Sequence, residues 1–213
     1  MPNPSPKVTL VKEDLTDEQL EHYLSKPIIA VDGEMMGLHP TRDRLCLVQI
    51  GDENREIVLV QILQGQKKAP NLKKLMEVKN VLKLFHYART DVACLRQWLG
   101  IKVKNVFCTK IGSRIARTYT DKHSLKEVTK ELLDKDISKA QRTSDWGAED
   151  LSKDQQAYAA TDVYYLIPIY KKLVEMLKRE GRLELAEKTS EYLSTLAELD
   201  ILGYELVLEH QQK

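Results

Sequence analysis

Two carboxylates stand two residues apart at the end of an apolar stretch, Ile28-Ile29-Ala30-Val31-Asp32-Gly33-Glu34. Side chains alternate along a strand, so a strand here would point Asp32 and Glu34 to the same face. Two negative charges placed together repel each other unless a cation or solvent compensates them. Oxygen ligands on one face suit Mg²⁺ or Mn²⁺, which makes the pair a candidate metal site. Taken alone the pattern is weak, because such pairs are more often surface charges.

Two further aspartates and a tyrosine extend this candidate site. Asp91 follows the apolar run 81–85 across a short loop, where its ordinary role would be to stabilise a helix dipole. Asp162 lies among alanine and apolar residues of a predicted helix, and aspartate is a poor interior helix residue, so something should hold its charge. Tyr158 precedes it by four residues and therefore shares its helix face. Core packing is the alternative role for this tyrosine.

Hydrophobic periodicity predicts the strands and helices that would hold these residues. Apolar runs separated by turn-forming residues predict strands, and three in succession favour an antiparallel meander: 28–34, 44–51 and 56–62. Outside the meander we expect strands at 8–11, 81–85 and 103–108 and helices at 16–24, 71–78 and 90–99. Everything after Thr109 is predicted to be helical, with capping boxes beginning at Ser124 and Ser152. Strands that alternate with helices imply parallel crossovers, so the expected fold is α/β, a mixed sheet flanked by helices.

Composition indicates one ordinary globular domain. The chain has 213 residues, of which 42% are hydrophobic and 31% charged. No apolar run approaches the roughly 18 residues of a membrane span, and the polar start, residues 1–7, is unlike a signal peptide. Cys46, Cys94 and Cys108 form no C-x-x-C pair, so we expect buried thiols in a reducing cytoplasm rather than a disulfide framework or a zinc site.

Charge is balanced overall but unevenly distributed. The formal net charge is +1, so bulk charge predicts no polyanionic partner. Residues 102–126 hold seven Lys or Arg against one acidic residue, whereas residues 191–209 hold five acidic residues and no Lys or Arg. A solvated face is the simpler interpretation of the basic stretch. The acidic and apolar end is more typical of a surface that packs against a partner.

Taken together, Asp32, Glu34, Asp91, Asp162 and Tyr158 resemble the DEDD 3′–5′ exonuclease superfamily in its tyrosine-bearing subclass. The histidine-bearing subclass would place histidine five residues before the final aspartate, where this chain has alanine. The segments 143–151 and 158–163 look like ribonuclease D, and the resemblance covers about 28–173. The linking segments 39–46, 107–111 and 117–123 are closer to the short nano-RNase C family. Motif I departs from that family, because Gly33 and Met35 stand where D-T-E followed by Thr or Phe is usual.

The resemblance implies a ribonuclease H-like fold in one domain, 1–213, with a catalytic core at about 28–173 and a C-terminal helical extension, 174–213, as a possible oligomer contact. It implies two divalent ions, Mg²⁺ or Mn²⁺. Asp32 would bridge them, Glu34 and Asp162 would complete the ion that activates water, Asp91 would hold the other, and Tyr158 would orient the water. The implied protein is a cytoplasmic homo-oligomeric ring, an octamer, that degrades very short RNA, especially 5′-phosphorylated dinucleotides.

Several side chains around that centre are candidates for substrate contact. Three apolar side chains could contact the bases of the substrate: Met35, Met36 and Leu38. Core packing is the alternative role for them. His86, beside Asp91, could contact substrate or serve as a structural loop residue. Four members of the basic stretch could bind a 5′ phosphate, including one on a neighbouring subunit, or could be solvated surface: Arg114, Arg117, Lys122 and His123.

Two other functions stay open from the sequence. One is 3′-end trimming of longer RNA, or of DNA, in the manner of ribonuclease D. The other is a non-catalytic nucleic-acid-binding module on the same fold. The short length, which leaves little room for accessory domains, favours very short substrates over trimming. The four acids and the tyrosine argue against a pure binding module, because a negative cluster facing phosphate weakens binding.

Overall fold

A mixed sheet crosses the centre of the computed structural model, which describes residues 6–137 and 144–210. Its strands, in chain order, are β1 (Lys7–Lys12), β2 (Ile28–Met35), β3 (Leu45–Gly51), β4 (Glu56–Gln61), β5 (Leu82–Phe85) and β6 (Val106–Cys108). The spatial order is β1-β4-β3-β2-β5-β6. Short loops join β2, β3 and β4 into the expected antiparallel meander, whereas β1 pairs parallel to β4, and β5 pairs parallel to β2 and β6. The α/β mixed sheet predicted from the sequence is confirmed.

Helices cover both faces of this sheet. They are α1 (Asp17–Leu24), α2 (Pro70–Glu77), α3 (Arg89–Leu99), α4 (Thr109–Ala116), α5 (Leu125–Leu133), α6 (Lys153–Tyr164), α7 (Leu166–Arg179), α8 (Leu183–Glu191) and α9 (Leu193–Ile201). Thr16, Ser124 and Ser152 each form the capping box that the sequence predicted, accepting from the backbone N–H three residues later. Gly100, at φ 63°, ends α3 in the left-handed conformation that glycine favours.

The two faces of the sheet bury separate apolar cores. One core packs the sheet against α1, α2, α3 and α9, and the other packs it against α4 to α8. Alternation along β2 sends Val31 into the first core and Ala30 into the second. Asp32 therefore emerges on the face that α6 covers. The fold positions the predicted carboxylates through this alternation.

The acidic end of the chain divides into two parts. Leu193 and Ala197 of α9 are buried against the first core, and α9 lies along α3. Arg89 donates two hydrogen bonds to the Asp200 carboxylate, at 2.7 and 2.6 Å, so acidic charges of α9 are compensated by basic charges of α3. The expectation that 191–209 packs against a partner is therefore corrected for α9, which packs within the chain, whereas apolar side chains are exposed at Tyr192 and from Leu202 onward.

Two expectations from composition can be compared with the fold. Cys46, Cys94 and Cys108 are buried and unpaired, as expected. Within the described residues, the helices are all too short or too polar to cross a membrane.

Candidate active site

The three carboxylates nearest one another come from β2 and α6. Asp32 and Glu34 leave the same face of β2, and Asp162 points toward them from the last turns of α6. One carboxylate oxygen of each lies within 4.8 Å of the others. The pairing of β2 with β3 shifts register between Glu34 and Met35, an irregularity typical of the edge of a functional site. The end of one strand and one helix face thus form a compact set of oxygen donors.

Burial makes this set electrostatically unfavourable in the absence of a cation. Desolvation raises the pKa of Asp32 well above its usual range, and the charges of Asp91, Asp162 and Glu34 raise it further. Desolvation is also the main cause that raises the pKa of Glu34, followed by Asp162 and Asp91. Neighbouring carboxylates cannot all ionise in such a place without a positive partner. The donors are all oxygens, so the site fits a hard divalent ion such as Mg²⁺ or Mn²⁺.

Asp91 approaches the same centre from the opposite side of β2. It lies in the first turn of α3, and burial raises its pKa despite hydrogen bonds from its own N–H and that of Gly33. A β-carbon on Gly33 would lie 3.1 Å from Asp91 Oδ1, which is tighter than an ordinary contact. Glycine at this position therefore leaves room for the Asp91 carboxylate. The departure from the usual motif I places the smallest residue where this acid comes closest to β2.

Tyr158 and Asp162 meet one turn apart on α6. The tyrosine hydroxyl donates a hydrogen bond to the Asp162 carboxylate, which lowers the pKa of that acid against the larger effect of burial. The indole of Trp146 lies beside the tyrosine ring, with centroids 6.1 Å apart. Trp146 is itself buried, so the ring of Tyr158 is supported on one side. The four-residue spacing brings the two groups together, as helix geometry predicts.

Asp32, Glu34 and Asp162 line a cleft of about 320 Å³. Beside the acids and Tyr158, its lining includes the first residues of α4 and α5, which carry Lys110 and Lys126. The Lys110 ammonium lies 4.2 Å from the centroid of the Tyr87 ring. Both lysines belong to the basic stretch 102–126, but neither is among the residues predicted to contact substrate. Their position as the second residue of a predicted helix was the signal that could have identified them.

His86 lines the cleft but directs its ring nitrogens into the protein. Nε2 lies 3.1 Å from the His123 carbonyl oxygen, which can only accept, so Nε2 carries the proton. Nδ1 lies 2.9 Å from Thr109 Oγ1. Burial, with the nearby Lys110 charge, lowers the pKa of His86 to about 4, so the ring is neutral at pH 7. His86 is thus a fixed wall of the cleft.

Arg117 is fully buried, and its guanidinium is occupied by other parts of the chain. It pairs with the Glu131 carboxylate and donates to Ser113 Oγ at 2.9 Å and to the Lys122 carbonyl at 2.7 Å. Ser113 Oγ also lies 2.9 Å from His123 Nδ1. The structure does not bring Arg117 to the cleft. It holds the segment that leads into α5.

The other basic candidates also lie away from the cleft lining. Lys122 is exposed, and Arg114 borders a neighbouring groove with Tyr87 and Arg89. His123 is buried, with 9% of its surface exposed. Of the four basic side chains predicted to bind a phosphate, none is among the residues that line the acidic cleft in a single copy of the described chain.

The apolar candidates divide between core and surface. Met35 packs against the first core. Met36 is 54% exposed and Leu38 is 81% exposed, so both are available to a ligand. Leu38 borders a groove formed with Tyr87 and the end of α9. From sequence alone, core packing and base contact were equal alternatives for these three residues. In the structure Met35 packs in the core, whereas Met36 and Leu38 are exposed and could contact bases.

Comparison with known proteins shows which family has this architecture. A sequence model described as 3′–5′ exonuclease matches residues 8–178. The structure of Brucella melitensis NrnC bound to pGG is 44% identical in sequence, with a TM-score of 0.89 over 97% of this chain and 98% of that one. The chain belongs to the NrnC family of 3′–5′ exonucleases. The family resemblance predicted from the sequence is therefore confirmed.

Other relatives agree with this placement. Brucella melitensis NrnC with bound Mg²⁺ is 43% identical, with a TM-score of 0.88 over 96% of this chain and 97% of that one. Ribonuclease D of Gluconacetobacter diazotrophicus is 34% identical over 181 residues, which are 85% of this chain and 45% of that protein. The chain thus spans about half the length of the curated relatives that it matches, whereas it covers nearly all of the NrnC chains. The Mg²⁺ in an NrnC structure agrees with divalent metal use in this family.

The contacts of Arg117 predict a structural role that stability measurements can detect. Arg117→Met should lower the free energy of unfolding by about 3 kcal/mol, the low end for breaking a buried pair, because the Glu131 carboxylate is 40% exposed. The melting temperature should fall by about 6–12 °C. Lys122→Ala, which removes an exposed side chain nearby, is the matched control and should melt like the wild type. A variant of Arg117 with normal melting but a raised KM would show instead that this residue contacts substrate.

Proposed function

We propose that the chain is a metal-dependent 3′–5′ exoribonuclease that hydrolyses very short RNA, above all 5′-phosphorylated diribonucleotides, to mononucleotides in the cytoplasm. The observation that carries the proposal is the small cleft, with acids on its floor and lysines in its lining. A phosphodiester can place its scissile phosphate near a cation held by the acids while a second phosphate meets the lysines. The NrnC structure bound to pGG supports this substrate class.

The acids are the groups that would hold the metal ions. Asp32, Glu34 and Asp162 offer oxygens within 4.8 Å of one another, and Asp91 adds a fourth carboxylate from α3. When bound, one or two divalent ions, Mg²⁺ or Mn²⁺, would supply Lewis-acid activation of water and neutralise charge on the phosphate. The carboxylates contribute the fixed negative charge that retains such ions. Their burial keeps that charge in a region where its interaction with a cation is strong.

The remaining groups in the cleft favour direct hydrolysis over a covalent intermediate. Tyr158, held by its hydrogen bond to Asp162, would position the attacking water by a second hydrogen bond. Ser124 is the serine of the cleft lining, and its hydroxyl is 2.7 Å from Glu127 Oε2 within the capping box of α5. A hydroxyl engaged in a helix cap is poorly placed to attack phosphorus. Water is therefore the expected nucleophile.

Substrate length would be limited by the distance between the acids and the lysines. Lys110 and Lys126 belong to helices packed on the sheet, so their ammonium groups reach over a limited range. They would bind a second phosphate only when it lies within a limited distance of the first. Met36 and Leu38, exposed beside β2, would contact the bases without sequence preference. A longer RNA would gain few further contacts in so small a cleft. Ribonuclease D-like trimming of longer RNA or DNA is the competing function.

The proposal includes assembly into a homo-oligomeric ring, an octamer by family resemblance. Apolar side chains are exposed along the segment after α9: Leu202, Tyr204, Leu206, Val207 and Leu208. This segment borders a groove with Leu38 and Tyr87, near the mouth of the acidic cleft. A second copy of the chain could cover these apolar groups and narrow access to the acids. Head-to-tail contacts of this kind close into a ring when the rotation between neighbouring copies is a whole fraction of a turn.

Assembly can be measured directly by light scattering. We expect a single species several times heavier than the 24.5 kDa chain. Replacing two exposed apolar residues with charges, Val207→Glu with Leu208→Glu, should shift the mass toward the monomer without changing helix content. Lys178→Glu, an exposed change on α7, is the matched control. A wild-type protein that is a monodisperse monomer would contradict the ring.

Substrate selection can be measured by digestion of 5′-phosphorylated RNAs of graded length in Mg²⁺. We expect kcat/KM for a dinucleotide to exceed that for a ten-mer by at least about tenfold, or ~1.4 kcal/mol. Lys110→Gln with Lys126→Gln should reduce that ratio, because the second phosphate loses its cations. DNA strands of the same lengths test selectivity for RNA.

The matched control for this experiment is Asp162→Asn, which should lose activity by a factor of about 10² or more. Loss of activity in this variant excludes a contaminating nuclease as the source of the products. A wild type that degrades the ten-mer faster than the dinucleotide would favour ribonuclease D-like trimming. Binding without any cleavage would favour a non-catalytic module.

A further inference from the structure

The amide of Gln49 is buried in the central strand β3 without a hydrogen-bond partner. The side chain is fully buried, and neither Nε2 nor Oε1 bonds to another group of the described chain. Buried amides in folded proteins are normally hydrogen-bonded, and each exception calls for an explanation. An unpaired amide lowers stability relative to an apolar residue of the same size. Gln49 is therefore difficult to explain by folding alone.

The position of Gln49 places it beside the acidic site. In the antiparallel pairing of β2 with β3, Gln49 lies directly opposite Asp32. Both face α6: Leu47, two residues earlier, packs in the second core, and a β-carbon on Gly51, two residues later, would lie 3.3 Å from Val163. Directly opposed residues have β-carbons ~4.5–5.5 Å apart. The Gln49 amide is thus within one side-chain length of the Asp32 carboxylate.

Gln61 continues this polar row on the next strand. It pairs with Leu47 and is therefore the diagonal neighbour of Gln49 on the same face. Its Nε2 donates to the carbonyls of Ala148 and Glu149, at 3.0 and 3.1 Å, whereas its buried Oε1 has no partner among the described residues. An amide nitrogen carries two protons. Gln49 can therefore supply one N–H to each side, toward Asp32 and toward Gln61.

The residues of α6 that pack directly over this row have no hydrogen-bond donor in their side chains. Ala159, Ala160 and Val163 of α6 pack over this part of the sheet, and their side chains are apolar. The Asp32 carboxylate accepts a backbone hydrogen bond from Gly33. A metal-ligating carboxylate is usually oriented by further hydrogen bonds from groups that do not touch the metal. Gln49 is the neighbouring side chain with a free donor.

We infer that Gln49 is a positioning residue, whose Nε2 donates a hydrogen bond to the Asp32 carboxylate and fixes its orientation when the acids hold their cation. The role extends the proposed function and rests on it, because it assigns a support to the same acidic site. It accounts for a buried amide that has no other partner among the described residues. Gln61 would hold Gln49 in turn and connect it to the loop at 148–149.

The inference is tested by Gln49→Met, which keeps the length and shape of the side chain and removes the amide. Mn²⁺ binding, measured by calorimetry without substrate, should weaken by about 10–100-fold. The metal-free protein should melt at the wild-type temperature or above, since an unpaired buried amide is lost. Activity on the dinucleotide should fall at low metal concentration and recover as the metal concentration is raised. Leu59→Met, directly opposite Gln49 on β4, is the matched control and should bind Mn²⁺ normally.

Wild-type Mn²⁺ affinity in Gln49→Met would overturn the inference, and Gln49→Leu provides the same measurement if the first variant does not fold. A variant that melts earlier yet binds Mn²⁺ normally would also overturn it, because the amide would then serve packing alone. The proposed function is judged separately, by dinucleotide hydrolysis in the wild type. A wild type that binds Mn²⁺ with the expected dependence on Gln49 but does not cleave would reject the proposed function and leave this inference intact.

Discussion

Four neighbouring carboxylates repel one another at the acidic cleft, and the surrounding strands and helices must hold them together against that repulsion. Asp32, Glu34 and Asp162 are half-buried at the cleft and Asp91 is buried behind them, so the four acids from three elements converge where water screens their charges only in part. Such an arrangement is destabilising for the folded chain unless a cation balances it. The apolar packing of β2 between two cores supplies the stability that the acids lower. A fold that tolerates this local conflict gains a site where positive charge is strongly bound.

The groups around the acids form a rigid frame rather than a second set of ligands. Arg117 bonds to Ser113, Ser113 contacts His123, and the His123 carbonyl holds His86 at the cleft wall. This chain of contacts fixes the segment that leads into α5, so the first residues of α5 lie at the cleft. Lys126, the second residue of α5, lines the cleft beside this network. Arg117 and His123, which the sequence predicted to bind a phosphate, have their side chains bonded within this network.

Local signals in the sequence were sufficient for most elements and for the centre of the site. Capping boxes and period-two runs depend on neighbouring residues, so the helix starts and the meander could be predicted. The pairing of Tyr158 with Asp162 followed from one helical turn. Contacts distant in sequence could not be predicted in this way. The Arg89 to Asp200 pair joins residues 111 apart, and the buried state of Arg117 depends on Glu131 from another helix. The position of the Gln49 amide beside Asp32 could not be predicted either, because it depends on the register between β2 and β3.

Anomalous diffraction from crystals of the wild-type protein soaked in Mn²⁺ would show whether the clustered acids form a cation site. We expect a manganese peak between Asp32, Glu34 and Asp162, with carboxylate oxygens as its protein ligands. The same soak of Asp162→Asn crystals should give a weaker peak or none. A strong peak elsewhere on the wild-type molecule, with none among the acids at millimolar Mn²⁺, would show that the acids do not form a cation site.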